Sequence, residues 1–266
     1  MHYLGSRLLL LVLLALGQLG QVSWAGISAA EAINLSGMQR MLSQRIAKNY
    51  LMIGSEVRVE QANHQLDESL AQFDSNLQTL EQYADSPALQ QQLEQLQQLW
   101  QPFRLQVLQR PRADQALQVI GQSQALLDAS EALVQGIEQH SGAKTVRLVN
   151  SSGRQRMLSQ RIAMLYLAAS WRVPVVDLDK QLQQSVTEFD AALQELFAAP
   201  LNDTQSLALL NKVKAQWRFS QSGFRLSSDG RYVPTVISAS CDSLQLLMNQ
   251  LTLLYAEKQP SSGLPL

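Results

Sequence analysis

Apolar side chains recur along this chain at spacings of three and four, the period of one helix face. Leu66, Leu70, Phe73, Leu77 and Leu80 form one such series, and Leu89, Leu93, Leu96, Trp100, Phe103 and Val107 form the next. Ala116, Val119, Ser123, Leu126, Ser130, Leu133 and Ile137 follow, and Ile237, Cys241, Leu244, Met248, Leu251 and Tyr255 close the chain in the same rhythm. No stretch alternates with period two, so strands are not expected. Breaks fall at Asp85-Ser86-Pro87 and Arg110-Pro111, where proline suits a helix start or the residue just outside one. The pattern predicts helices over 29–56, 61–84, 87–109 and 113–140. Four more are predicted over 145–171, 175–198, 203–226 and 233–257, with breaks at Pro174, Pro200 and Ser227 to Gly230. Short connections between long amphipathic helices favour antiparallel neighbours packed near twenty degrees. The expected fold class is therefore all-α, as two tandem up-down-up-down four-helix bundles.

The division into two rests on an internal repeat. The string QRMLSQRIA occurs at Gln39 to Ala47 and again at Gln155 to Ala163, a constant offset of 116. Asn34, Ser36, Gly37, Tyr50 and Leu51 match Asn150, Ser152, Gly153, Tyr166 and Leu167 in the same frame. Phe73, Asp74 and Leu77 match Phe189, Asp190 and Leu193; with one residue of slippage, Trp100 answers to Trp217 and Ile120 to Ile237. Both tryptophans are expected in the bundle cores. The implied units are 26–141 and 142–258, each a normal domain size. Between them, Glu138 to Gly153 contains Gly142 but no proline, so the fourth helix either runs into the fifth as one rod or breaks near Ser141-Gly142.

Residues 1–25 stand outside the repeat. Arg7 forms a basic start, Leu8 to Leu16 is almost unbroken aliphatic, and Ser23, Trp24 and Ala25 place small residues where a signal peptidase reads. The apolar run falls short of the roughly 20 residues of a membrane span. A cleaved secretory signal and a periplasmic location are expected, the alternative being an inner-membrane anchor formed by an uncleaved signal. Gln259 to Leu266 reads as a disordered tail.

Composition narrows the function classes. A formal net charge of -1 gives no basic face for nucleic acid. Cys241, the only cysteine, sits in an apolar helical series and reads as a buried, inert thiol. Beyond the signal only His64 and His140 remain, in no metal-binding or nucleophile-activating arrangement, so neither an enzyme, a metal nor a cofactor is expected. Met38, Met41, Met157 and Met164 read as packing, and the Gln90 to Gln98 tract as a solvated helix face.

The chemistry lies in the repeated string. On an ideal helix Ile33, Gly37, Arg40 and Gln44 share one stripe, as do Val149, Gly153, Arg156 and Gln160. Arg45 and Arg161 lie about 140 degrees round the helix and face another neighbour, supporting the first pair or pairing with a carboxylate. Two guanidinium groups about 6 Å apart repel by roughly 3 kcal/mol at an effective dielectric near 20, and an anion between them reverses that sign. Planar guanidinium forks match planar oxyanions, and a glycine one turn before each arginine allows two helices to approach closely. The other reading is ordinary: arginines that face solvent or pair with a glutamate, on a string kept for packing.

The segments INLSGMQRMLSQRIAKNYL and VNSSGRQRMLSQRIAMLYL resemble the first-helix signature of the PilJ/NarX-type sensory domain, the N-terminal module of type IV pilus chemotaxis transducers and nitrate/nitrite sensor kinases. The resemblance covers both units. It implies a periplasmic four-helix bundle that holds nitrate or nitrite at a two-fold interface between first helices, one arginine from each side. By motif position those are Arg40 and Arg156, with Gly37 and Gly153 as the motif glycines. Asn34, Asn150, Gln44, Gln160, Arg45 and Arg161 match as supporting positions. Leu35 and Ser151 stand where the nitrate-sensor motif has lysine.

The expected function is an exported, sensor-like binding protein for a small oxyanion, reporting through a membrane receptor or histidine kinase. The alternative is a non-catalytic helical scaffold for a membrane receptor or a pilus or chemotaxis partner. If the units lie side by side, the two-fold pairing is internal; a continuous rod would demand a homodimer.

Overall fold

The computed structural model describes residues 27–141, 147–228 and 232–258. The expected signal, the Gly142 break and the tail lie outside these residues. The first half holds α1 (Ala29–Gly54), α2 (Val59–Tyr83), α3 (Pro87–Val107) and α4 (Ala113–Ser141); the second holds α5 (Arg147–Ser170), α6 (Leu178–Phe197), α7 (Thr204–Ser228) and α8 (Pro234–Glu257). No strand occurs among the described residues, and no helix there is long and apolar enough to cross a membrane.

Local chemistry sets the helix ends. The Ser28 hydroxyl accepts the Glu31 amide at 3.1 Å and starts α1. Ser86 accepts the Leu89 amide at 3.3 Å ahead of Pro87, which opens α3. At α7, Asp203 and Ser206 cap each other reciprocally, through bonds of 2.8 and 2.7 Å. The first helix stops at Gly54, two residues earlier than the periodicity suggests, because Glu56 adopts a left-handed φ of 60° and the Val57 amide bonds back to the Met52 carbonyl at 2.8 Å. The second unit repeats this turn with Arg172 at φ 59° and Val173 bonding to Ala168 at 2.9 Å.

Within each half the first helix packs on the second and fourth, and the third on the fourth. Trp100 stacks on Phe73 with ring centroids 3.9 Å apart, and its Nε1 donates to Asp74 at 2.7 Å. Trp217 repeats this on Phe189 at 4.2 Å and Asp190 at 3.1 Å. Both tryptophans are buried, as expected, and the matched aspartates exist to satisfy their indole N–H groups.

The two halves lie side by side. Among the described residues, α1 and α5 form the most extensive helix contact. They run parallel and in register: Asn34 meets Arg156 and Arg40 meets Asn150 near one end, while Gly54 meets Trp171 at the other. The continuous rod is ruled out, because Asn150 Nδ2 donates to Glu138 at 2.9 Å, and twelve residues of unbroken helix would span about 18 Å. With α1 and α5 enclosed by neighbours, 17 of the 26 residues of α1 are buried, including Ser36, Gln39, Ser43, Gln44, Lys48 and Asn49. Neither helix has one wet face, which is why polar residues interrupt the apolar period in these two.

Candidate functional site

The matched residues of the repeated string divide by what they touch. Gln39 and Gln155 donate to the carbonyls of Phe73 and Phe189 at 2.9 and 3.0 Å, tying the first helix of each unit to its second. Gln44 and Gln160 donate to the carbonyls of Ser123 and Cys241 at 3.0 and 3.3 Å, tying the first helix to the fourth. Tyr50 and Tyr166 accept the amides of Arg112 and Val233 at 3.1 and 2.9 Å. These residues are scaffold, and they also correct the repeat register. Ser123 answers to Cys241, an offset of 118, so Val119 rather than Ile120 is the counterpart of Ile237.

What remains converges on the α1–α5 seam. Arg40 and Arg156 are fully buried. Arg40 Nη2 donates to Asn150 Oδ1 at 2.7 Å, and Arg156 Nη2 to Asn34 Oδ1 at 2.9 Å and to its carbonyl at 3.4 Å, so each arginine crosses to the other unit's asparagine. A Cβ on Gly37 would lie 3.0 Å from Arg40 Nη2 and 3.7 Å from Arg156 Nη2; on Gly153 the distances would be 3.1 Å to Arg156 Nη2 and 3.6 Å to Arg40 Nη2. The glycines therefore make room for the guanidinium groups themselves.

The two arginines differ in counter-charge. Arg40 Nη1 meets Glu131 Oε2 at 2.5 Å, whereas Arg156 Nη1 donates to Asn249 Oδ1 at 2.8 Å. Glu131 and Asn249 are equivalent at the offset of 118. Burial lowers the pKa of Arg40, with Glu131 opposing the shift. Burial, then the charge of Arg40, pushes Arg156 down to about 9. No carboxylate among the described residues comes within ion-pair distance of Arg156. The Nε–H of each arginine is buried without an acceptor there as well. Glu138 stands one step back, behind Asn150. Chemically the seam is a pair of converging guanidinium forks with spare donors and more positive than negative charge in direct contact, a setting that favours an anion.

The second motif arginines face away, as their angle on the helix implies. Arg45 approaches Glu68 of α2 at 4.0 Å. Arg161 donates to three amide carbonyls instead: Gln124, Gln181 at 3.2 Å and Gln44 at 3.5 Å. Arg154 lies between Glu188 at 3.2 Å and Glu131 at 3.8 Å.

Three partners escaped the reading of the sequence: Glu131, Asn249 and the Lys48–Asp242 ion pair. Lys48 of α1 reaches Asp242 of α8, which also accepts from Gln65 at 3.1 Å and Gln160 at 3.3 Å. Burial pulls the Asp242 carboxylate upward, but the adjoining ammonium holds it below its usual range. In the other half Met164 and Gln124 take these places. A usable signal existed, since the two apolar series of α4 and α8 superpose at 118 and not at the 116 of the repeated string, and that frame aligns Glu131 with Asn249 and Gln124 with Asp242.

Among the described residues no group of His, Cys, Asp and Glu is arranged to hold a metal ion. Cys241 is buried, which pushes its thiol up to about 12.

Comparison with known proteins adds one finding. No match to the chain was found among the curated proteins or the solved structures. The family described as the type IV pili methyl-accepting chemotaxis transducer N-terminal domain, PilJ, matches residues 22–132 and again residues 140–222. These segments carry the two copies of the string, both glycine–arginine pairs of the seam and both core tryptophans. The chain thus belongs to the PilJ family of non-catalytic sensory domains, and it carries that domain in two tandem copies.

Proposed function

We propose that the Arg40–Arg156 seam binds a small planar oxyanion of the nitrate or nitrite class. The observation that carries this reading is the uncompensated guanidinium of Arg156, buried against Arg40 with no carboxylate partner among the described residues. Like charges held together in a low-dielectric seam destabilise the empty protein, and a bound anion offsets that. Asn34, Asn150, Gly37 and Gly153 position the forks; Gln44 and Gln160 hold the helices that carry them; Arg45 and Arg161 brace the flanks. Burial of both arginines supports this reading over a scaffold that would contact its partner through them.

In this proposal residues 1–25 direct export and are removed, and 26–141 and 142–258 are the paired sensory units, followed by a tail. The protein works in the periplasm and passes its bound state to a membrane receptor or histidine kinase. The test is thermal unfolding of the chain from Gly26 onward with nitrate, nitrite and chloride. A ligand at a hundred times its Kd adds about 2.7 kcal/mol, which moves the Tm of a chain this size by roughly 5–10 °C. The expected rise is specific to nitrate or nitrite and absent from Arg156→Gln. Equal shifts with every salt, or none, would overturn the reading.

A further inference from the structure

The seam is built on a two-fold pattern that the side chains around it break in one direction. Glu131, Arg154 and Glu188 stand on one side; their counterparts on the other are Asn249, Met38 and Gln72. The charged side forms a chain in which Arg40 meets Glu131 at 2.5 Å, Glu131 meets Arg154 at 3.8 Å, and Arg154 meets Glu188 at 3.2 Å. Since Arg154 and Glu188 answer each other, Glu131 is the carboxylate left to answer Arg40. On the neutral side the counterpart of Glu131 gives Arg156 an uncharged amide, that of Asn249.

Glu131 is also placed where solvent and seam meet. Its side chain is 27% exposed while that of Arg40 is 1% exposed. It lines a cavity of about 200 Å³ between α4, α5 and α6, together with Arg154 and Arg161. Asn249 occupies the matching position on an open groove of about 680 Å³ between α1, α2 and α8. Each buried arginine is thus contacted by one side chain that also walls a surface cavity, and only one of those two side chains is charged.

We propose that Glu131 is a built-in counter-ion that makes the seam a site for a single monovalent anion. It rests on the oxyanion reading above. Two arginines without Glu131 would present two positive charges and favour a dianion, or two monoanions. With Glu131 in contact, one arginine is already neutralised and one charge is left for the ligand. A monoanion completes the balance, and a dianion overshoots it and meets the carboxylate as a like charge. The Coulomb energy of removing one charge is twice as large for a dianion as for a monoanion at the same place. The fold-change for a dianion is therefore the square of that for a monoanion.

Glu131→Gln keeps the shape and an acceptor for Arg40 while removing the charge, and so copies the chemistry of Asn249. The reciprocal Asn249→Glu gives Arg156 a counter-ion of its own. Isothermal titration calorimetry of the chain from Gly26 onward, at constant ionic strength, would measure nitrate and sulfate binding to wild type and both variants. Thermal unfolding would check that each variant folds. Glu131→Gln is expected to bind nitrate about tenfold and sulfate about a hundredfold more tightly than wild type. Asn249→Glu is expected to lose at least tenfold in nitrate affinity. Nitrate affinity unchanged in Glu131→Gln would overturn the counter-ion role and leave the oxyanion site standing. No nitrate binding by either wild type or Glu131→Gln would overturn the oxyanion reading itself.

Discussion

Arg40 and Arg156 occupy equivalent positions in a repeated string, yet one charge separates their surroundings. Removing either should remove anion binding, but the cost to the empty protein should differ. Arg40→Gln strands the Glu131 carboxylate beside a seam that no longer answers it, and should cost about 1–3 kcal/mol. Arg156→Gln deletes a buried charge that has no counter-ion and keeps an amide donor for Asn249 or Asn34. Its stability should lie within about 1 kcal/mol of wild type or above it. Urea unfolding without added anion decides the order, and a larger loss for Arg156→Gln than for Arg40→Gln would contradict the frustrated-charge account. The motif made both arginines legible in the sequence. Glu131 was not, because it arrives from α4, 91 residues away, and an isolated glutamate on a helix reads as a solvated side chain.

At the scale of elements, α1 and α5 are two copies of one helix that have diverged at their lower ends. Lys48 in α1 is matched by Met164 in α5, and Asp242, the partner of Lys48, is matched by Gln124. Asp242→Asn leaves a buried ammonium without a carboxylate and should cost about 3–5 kcal/mol. The double variant Lys48→Met, Asp242→Gln copies the Met164–Gln124 side and should recover most of that loss, a coupling that a double-mutant cycle would measure. The pair also gives a pH signature. A carboxylate whose folded pKa is depressed contributes stability that is present above the unfolded value of about 3.9 and lost as pH falls through the folded one. Wild type should therefore lose stability between about pH 5 and its acid unfolding limit, and the double variant should lose less over the same range. The glycines act at this scale too. Gly153→Ala gains up to about 1 kcal/mol of helix propensity, but its methyl group presses on Arg156 Nη2 at 3.1 Å. The variant should stay folded and bind nitrate more weakly in calorimetry.

For the whole molecule, pairing inside one chain replaces pairing between chains. A homodimer of first units would bury Lys48 against Gln124, and one of second units would bury Asp242 against Met164, so the ion pair favours one unit of each kind. Light scattering should give a monomer with and without nitrate; a stable dimer that seam variants dissociate would show the first helices pairing between chains instead. Much of this architecture is already written in the order of residues. The three-and-four spacing sets the helices because burial on one face demands that period, and the repeat sets two bundles with equivalent arginines because equal strings fold alike. The capping serines and the tryptophan with its aspartate act through neighbours already aligned by the same period. Only the folded chain decides that α1 and α5 lie parallel rather than end to end, since a connection with two glycines and no proline suits a rod or a reversal equally. It alone decides which carboxylate answers Arg40 and which arginine is left unanswered. Those pairings join residues roughly a hundred positions apart, and helical period, identical in every helix, holds no record of which faces meet.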